Sequence, residues 1–190
     1  SSSAQVLLAE GSCASLAFGM ATECTHASQP HQKHALSDLH LLEAHEVVGL
    51  LRDGHVTPNE LIAIVEERVA ATDDKVHATP ILCVERARAA AAAMAHPAAP
   101  PRGYLYGLPI LVKDSMAVAG VRFVEGSPIH VDRIADDSSS LVLQLESRGA
   151  IVVGKTNVPE FCAGSHSFNP VFPTTASPWD TRTTAGGSSG

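Results

Sequence analysis

The sequence predicts an α/β fold in which N-terminal helices precede a mixed, partly parallel sheet with covering helices. Two observations carry this prediction. Apolar residues recur at helical spacing between Ser37 and about residue 70, and beyond Gly107 two short apolar runs flank one amphipathic segment. The first pattern is typical of helices with one buried face. A strand–helix–strand order is typical of parallel strands joined by a crossover, so helices are expected first and the sheet after them.

Two helices are predicted at the start of this region. The first is expected from Ser37 to Gly54, because apolar residues follow one helix face and glycine commonly ends a helix. The second is expected to begin with Thr57-Pro58-Asn59-Glu60, in which threonine can cap the helix, proline suits its first position and glutamate completes a capping box. Its predicted buried residues are Leu61, Ile64, Val65 and Val69.

A third helix and the first strand are predicted next. Residues 83–95 are dense in alanine, which has the highest intrinsic helix propensity. Residues 108–112 form a short apolar run that ends at Lys113-Asp114, which is typical of a buried strand. The proline- and glycine-rich residues 157–190 predict a long loop region.

The second half of the strand–helix–strand unit follows. A helix is expected to start at a cap formed by Asp136 or Asp137 and to end near Arg148. Residues 150–153 are predicted as the next buried strand. The helix residues expected to face the core are Leu141, Val142 and Leu145.

Composition excludes some functions. The formal net charge is -7 and the 13 Lys and Arg are scattered, whereas a nucleic-acid partner needs a concentrated basic patch. No apolar run is long enough to span a bilayer. The four cysteines include no C-x-x-C pair, so neither a disulfide framework nor a zinc site is expected, and a reducing compartment such as the cytoplasm is favoured. Residues 1–35 lack any period and are predicted to be a disordered leader.

Three motif matches point to other chemistries. Residues 149–156 fit the phosphate-loop pattern G-x-x-x-x-G-K-[ST], but their four middle residues are predicted to be a strand rather than a flexible loop. Residues 186–190 fit the nucleophile-elbow pattern G-x-S-x-G, but a polar, loop-like segment precedes them instead of a core strand. His45-Glu46 begins like a zinc-protease motif, but Gly49 stands where the second histidine ligand belongs. None of the three contexts fits, so no cofactor or metal is predicted.

Six stretches beyond residue 104 belong together. They are G-L-P-I-L-V-K-D at 107–114, G-S-P at 126–128, G-A-I-V-V-G-K-T-N-V-P-E-F at 149–161, N-P at 169–170, S-P-W-D at 177–180 and G-G-S-S-G at 186–190. In this order and spacing they resemble the amidase-signature family of serine hydrolases. The helices predicted from 37 to 70 resemble the N-terminal element of that family. Each stretch alone is a weak signal, but the combination is specific.

The resemblance implies a catalytic pair and its chemistry. Members of the family hydrolyse amides through a Ser–Ser–Lys relay and an acyl-enzyme. Lys113 would accept a proton from Ser188, which would accept one from the nucleophilic serine and later deliver it to the leaving amine. The resemblance also places a cis peptide bond between Gly187 and Ser188, where glycine tolerates unusual backbone angles.

The same resemblance suggests the substrate-binding residues. Gly187 and Ser189 flank the bridging serine, and Ser189 is expected to support the network by hydrogen bonding. Cys162 corresponds to a position that contacts substrate in relatives, although a small buried apolar residue is an equal interpretation. The predicted partner is a small-molecule amide, and the sequence does not define the oligomeric state.

In the family the nucleophile lies in a glycine-rich D-x-G-G-S segment beyond the position of Gly190. Residues 36–190 are therefore predicted to be the N-terminal part of a single amidase domain, inactive alone. One alternative is a catalytically dead, partner-binding fragment. Another is the glutamyl-tRNA amidotransferase A subunit, but Pro159 in T-N-V-P-E-F and the later Ser167-Phe168-Asn169 favour a free-standing amidase.

Overall fold

The computed structural model describes residues 36–188, and in them helices alternate with the strands of a three-stranded sheet. Its α-helices and strands are α1 Ala44–Arg52, α2 Pro58–Val76, β1 Ile81–Leu82, α3 Val84–Ala93, β2 Pro109–Lys113, α4 Ser140–Ser147 and β3 Ile151–Thr156. Short 3₁₀ helices cover Leu36–Leu41, Pro128–His130 and Glu160–Cys162. No helix within residues 36–188 has both the length and the apolar character needed to cross a bilayer. The predicted α/β class is confirmed.

The sheet has β3 at its centre. β2 pairs with β3 in parallel, with Lys113 opposite Thr156, and β1 pairs with the other edge of β3 in antiparallel orientation. The predicted mixed, partly parallel sheet is therefore confirmed. β1 was not predicted, because its two residues directly follow Pro80 and are too few to show an alternating pattern.

The start of α2 is as predicted, but the first helix is not. At α2 the Glu60 N–H donates to Thr57 Oγ1 at 3.3 Å, and the Thr57 N–H donates to Glu60 Oε2 at 2.8 Å. The continuous helix predicted from Ser37 is wrong, because a 3₁₀ helix ends at Leu41 and α1 starts only at Ala44. The cause is a second capping box, formed by Glu43 and Glu46, which starts a new helix where the pattern suggested continuation.

The predicted start of α4 is also wrong. The N-cap is Ser139 rather than Asp136 or Asp137, because the Ser139 N–H donates to Ala117 O at 2.9 Å and holds the preceding residues outside the helix. With this later start, Val142 is fully buried, whereas Leu141, which was expected to face the core, is 45% exposed.

The core lies on both faces of β3. Ile151 and Val153 pack against Ile62 of α2 and Ala87 of α3. Val152 points to the opposite face, where it packs in one cluster with Val112 and Val142, among others. Successive side chains of a strand alternate between faces, so a strand buried on both faces shows a continuous apolar run. A third cluster consists of Leu39, Val47, Leu51, Val56 and Leu61.

The capping box of α2 provides a test of this structure. Hydrogen bonds from the backbone N–H and then the hydroxyl of Thr57 lower the pKa of Glu60, so they stabilise the fold above the ordinary glutamate pKa of about 4.3. We expect Thr57→Ala to lower the free energy of unfolding by about 1 kcal/mol at pH 7. The deficit should narrow as the pH falls through the lowered pKa of Glu60, because protonation weakens the bond from the Thr57 hydroxyl to the Glu60 carboxylate in the wild type, and Thr57→Ala has already removed that bond. Urea denaturation followed by circular dichroism measures the deficit at pH 7 and its change with pH. Thr57→Ser is the control that keeps the hydroxyl. A deficit that is the same for both variants would contradict the capping role.

Candidate active site

The structure brings together the two residues predicted to be catalytic. Lys113 is the last residue of β2, and Ser188 lies 75 positions later in the chain. Both side chains are half-buried, and Lys113 Nζ donates a hydrogen bond to Ser188 Oγ at 2.6 Å. An amine and a hydroxyl at this distance can exchange a proton directly.

The backbone before Ser188 requires glycine. The Gly187–Ser188 peptide bond is cis, at the position where the family resemblance places one. A Cβ atom on Gly187 would lie 2.7 Å from the backbone oxygen of Ser165, so any larger residue would displace one of the two segments. Gly186 has a φ of +78°, which residues other than glycine rarely adopt. These two glycines allow the chain to bring Ser188 to Lys113.

A buried ion pair holds β2 and β3 together beside Lys113. Asp114 follows Lys113, and its N–H donates to Thr156 O at 3.2 Å, which extends the pairing of the two strands. Its Oδ1 lies 2.5 Å from Lys155 Nζ, and its Oδ2 accepts a hydrogen bond from the Glu125 N–H at 3.0 Å. Both charged side chains are at most 1% exposed.

The environment of this pair explains why neither partner can be lost alone. Burial raises the pKa of the Asp114 carboxyl and lowers the pKa of the Lys155 amine, while their mutual hydrogen bond and attraction oppose both shifts. Lys155 Nζ also donates to Arg122 O at 3.0 Å and lies 4.6 Å from the centre of the Phe123 ring. The lysine of the phosphate-loop match is thus part of a buried strand and is engaged with protein groups.

Sequence reasoning missed a set of buried polar residues around the loop that carries Ser188. Asn157 directly follows β3 and is fully buried. Its Nδ2 donates to Pro173 O at 2.9 Å and to Thr175 Oγ1 at 3.0 Å, while its Oδ1 accepts from Asn169 Nδ2 at 2.8 Å. The position of Asn157 directly after an apolar run was a usable signal in the sequence, because the carboxyl ends of parallel strands often carry a functional site.

The other residues predicted for the site have different placements. Gly187 lies next to Ser188, as the sequence requires. Cys162 is the last residue of the 3₁₀ helix Glu160–Cys162, half-buried, with a free thiol and a φ of +57°. Ser189 lies outside the described residues, as does the predicted leader at 1–35. The substrate-binding roles of Cys162, Gly187 and Ser189 stay predictions.

Histidine, cysteine and carboxylate side chains do not gather at the Lys113–Ser188 contact. Within residues 36–188, no group of three or more such residues is arranged to hold a metal ion. The contact itself pairs an amine with a serine hydroxyl.

Comparison with known proteins identifies the family of this chain. The family model described as Amidase matches residues 60–190, and the chain belongs to the amidase-signature family. The glutamyl-tRNA(Gln) amidotransferase A subunit of Oleidesulfovibrio alaskensis is 35% identical over 145 residues, which are 76% of this chain and 30% of the relative. Its counterpart of the same name from Anaeromyxobacter dehalogenans is 39% identical over 137 residues, which are 71% of this chain and 28% of the relative.

A solved structure gives the same result for the fold. A bacterial aryl acylamidase of the amidase-signature enzymes superposes with a TM-score of 0.69 at 26% identity, over 78% of this chain and 31% of the acylamidase. The chain thus spans less than a third of the length of each of these three relatives.

The buried ion pair beside the site can be tested by stability. We expect Lys155→Met to lower the free energy of unfolding by about 3–5 kcal/mol, because it leaves the Asp114 carboxylate buried without a counter-charge. Urea denaturation measures the loss. Adding Asp114→Asn should restore part of it, because the amide oxygen still accepts from the Glu125 N–H and no buried charge remains.

The matched control is Arg52→Met, which removes one partner of the surface ion pair between Arg52 and Asp53. It should have little measurable effect, because exposed pairs are screened by solvent. Equal losses from Lys155→Met and Arg52→Met would show that the buried pair does not hold the strands.

Proposed function

We propose that this chain supplies the lysine and the bridging serine of a Ser–cis-Ser–Lys amidase that cleaves the C–N bond of a small-molecule carboxylic amide. The observation that carries the proposal is the 2.6 Å contact between Lys113 Nζ and Ser188 Oγ. Membership of the amidase-signature family supports it.

The proposed reaction moves one proton along this contact. Lys113 accepts the proton of the Ser188 hydroxyl, and Ser188 accepts the proton of the nucleophilic serine as that serine attacks the amide carbonyl. The proton then returns through Ser188 to the leaving nitrogen, the C–N bond breaks, and an acyl-enzyme remains. Water hydrolyses the acyl-enzyme by the same relay, which frees the carboxylic acid and restores the serine.

The nucleophile of this relay is expected C-terminal to residue 190, by resemblance to the family. We therefore expect the 190-residue chain alone to hydrolyse no amide above background. Turnover by the isolated chain that Lys113→Ala abolishes would contradict this placement of the nucleophile. Reading the coding sequence beyond Gly190 provides a second check: a D-x-G-G-S segment supports the proposal, and an immediate stop codon supports the catalytically dead alternative.

Lys113 itself is tested in a protein that contains the chain and the D-x-G-G-S segment. We expect Lys113→Ala to lower kcat by roughly four orders of magnitude, because the members of such a catalytic unit depend on one another. Hydrolysis of a panel of aliphatic and aromatic amides measures the loss. Lys75→Ala is the matched control, since Lys75 is an exposed lysine in the last turn of α2. Similar rates for the two variants would refute the proposed relay.

The relatives favour a second candidate, an amidotransferase A subunit. The two proteins of that name described above are 35% and 39% identical to this chain over the matched residues. Pro159, which caps the 3₁₀ helix Glu160–Cys162, supports the free-standing amidase instead, by the sequence difference described above. The two candidates differ in substrate. A free-standing amidase hydrolyses simple amides without glutamyl-tRNA(Gln), whereas activity that requires that tRNA and further protein chains would identify the amidotransferase.

A further inference from the structure

Ser188 lies on a loop that backbone hydrogen bonds fold back on itself. The Ser167 N–H donates to Gly186 O at 3.1 Å, the Thr175 N–H to Ser167 O at 2.9 Å, and the Ala185 N–H to Thr175 O at 3.0 Å. Thr175 thus connects the segment before Ser188 with the segment around Ser167, which lies next to the residues that Gly187 contacts.

The side chain of Thr175 ties this loop to the rest of the fold. It is 1% exposed, its hydroxyl donates to His77 O at 2.9 Å, and the same oxygen accepts from Asn157 Nδ2 at 3.0 Å. Asn157 directly follows β3, the strand that pairs with β2 up to Lys113. A continuous chain of hydrogen bonds therefore runs from the end of β3 through Asn157 and Thr175 to the residues preceding Ser188.

We propose that Asn157 and Thr175 are positioning residues that fix Ser188 within hydrogen-bond distance of Lys113. This inference rests on the proposed function, because it assigns these residues a part in the same relay. The relay needs a short Nζ–Oγ distance, and a displacement of about 1 Å in such a unit can cost about 10²-fold in rate. The backbone hydrogen bonds of the loop hold its own segments together, and these two side chains connect the loop to the end of β3 and to residue 77.

The test uses two substitutions at one position. Thr175→Val keeps the shape of the side chain but removes the hydroxyl that accepts from Asn157 Nδ2 and donates to His77 O, whereas Thr175→Ser keeps that hydroxyl. The readout is the ¹³Cε and ¹⁵Nζ chemical shifts of Lys113 in the labelled 190-residue chain, with Ser188→Ala marking the signal of a lysine without its serine. We expect Thr175→Val to move the Lys113 signals most of the way toward those of Ser188→Ala. Thr175→Ser, and Thr174→Val at the exposed neighbouring residue, should leave them at wild-type positions.

The outcomes separate the two proposals. If Ser188→Ala does not move the Lys113 signals, the contact itself is refuted, and the proposed function with it. If Ser188→Ala moves them but Thr175→Val does not, the positioning role is overturned while the proposed function stands. In a catalytically active longer protein, Thr175→Val should lower kcat by about 10²-fold and leave KM nearly unchanged, and Thr175→Ser should restore kcat.

If Thr175→Val does not fold, hydrogen exchange of the wild-type chain still tests the proposal. If Thr175 anchors the loop, the amides of Ser167, Thr175 and Ala185 open together and exchange with deuterium with similar protection. Exchange of Ser167 and Ala185 that is much faster than that of Thr175 would overturn the proposal, because the segment before Ser188 would then open independently of its anchor.

Discussion

Lys155 lies in the fully buried part of β3, where an unpaired charge would be strongly destabilised. Its charge is balanced by Asp114, one residue beyond the last residue of the neighbouring strand. Because neither side chain can reach water in the folded chain, the pair forces the carboxyl ends of β2 and β3 to stay in one register. Lys113 is joined by a peptide bond to one member of the pair, so its backbone position is determined by a charge interaction in the core.

The same strand also controls the second half of the site. Beyond Lys155, β3 ends at Thr156 and leads directly into Asn157, whose amide group is hydrogen bonded to the loop that carries Ser188. One strand thus holds the lysine on its β2 side and the serine at its end. The two catalytic candidates are 75 positions apart in the chain, and their contact forms only when β2, β3 and this loop are all in place. The site therefore depends on the folded core.

The features that the sequence predicted are those encoded by neighbouring residues. The cap of α2 needs only Thr57 and Glu60, and both strands of the parallel pair are visible as apolar runs. Lys113 and Ser188 were found because the motifs around them recur together in one family. The resemblance implied that they meet, but nothing local to either residue showed it.

The features that the sequence did not predict depend on contacts between distant residues. Asp114 and Lys155 are 41 positions apart, and the context that argued against a phosphate loop at Lys155 gave no indication of its buried partner. Thr175 is one threonine in a polar, proline-rich segment, and only the fold shows that its hydroxyl contacts residue 77, 98 positions away. The start of α4 was misplaced because the bond from Ser139 to Ala117, which holds the preceding turn, is equally non-local.

The proposed lysine–serine relay would account for one fold that serves relatives with different names. A proton relay of this kind acts on the serine nucleophile and on the leaving nitrogen, and it is indifferent to the rest of the amide. Discrimination between a small amide and a tRNA-linked reaction must therefore come from residues that touch the acyl or amine groups. Pro159 precedes, and Cys162 ends, the 3₁₀ turn that follows β3 and the buried Asn157. A change of sequence in that turn can alter the surface offered to a substrate and leave the buried pair and the loop anchor intact. Selectivity can thus diverge within the family while the geometry of Lys113 and Ser188 stays constant.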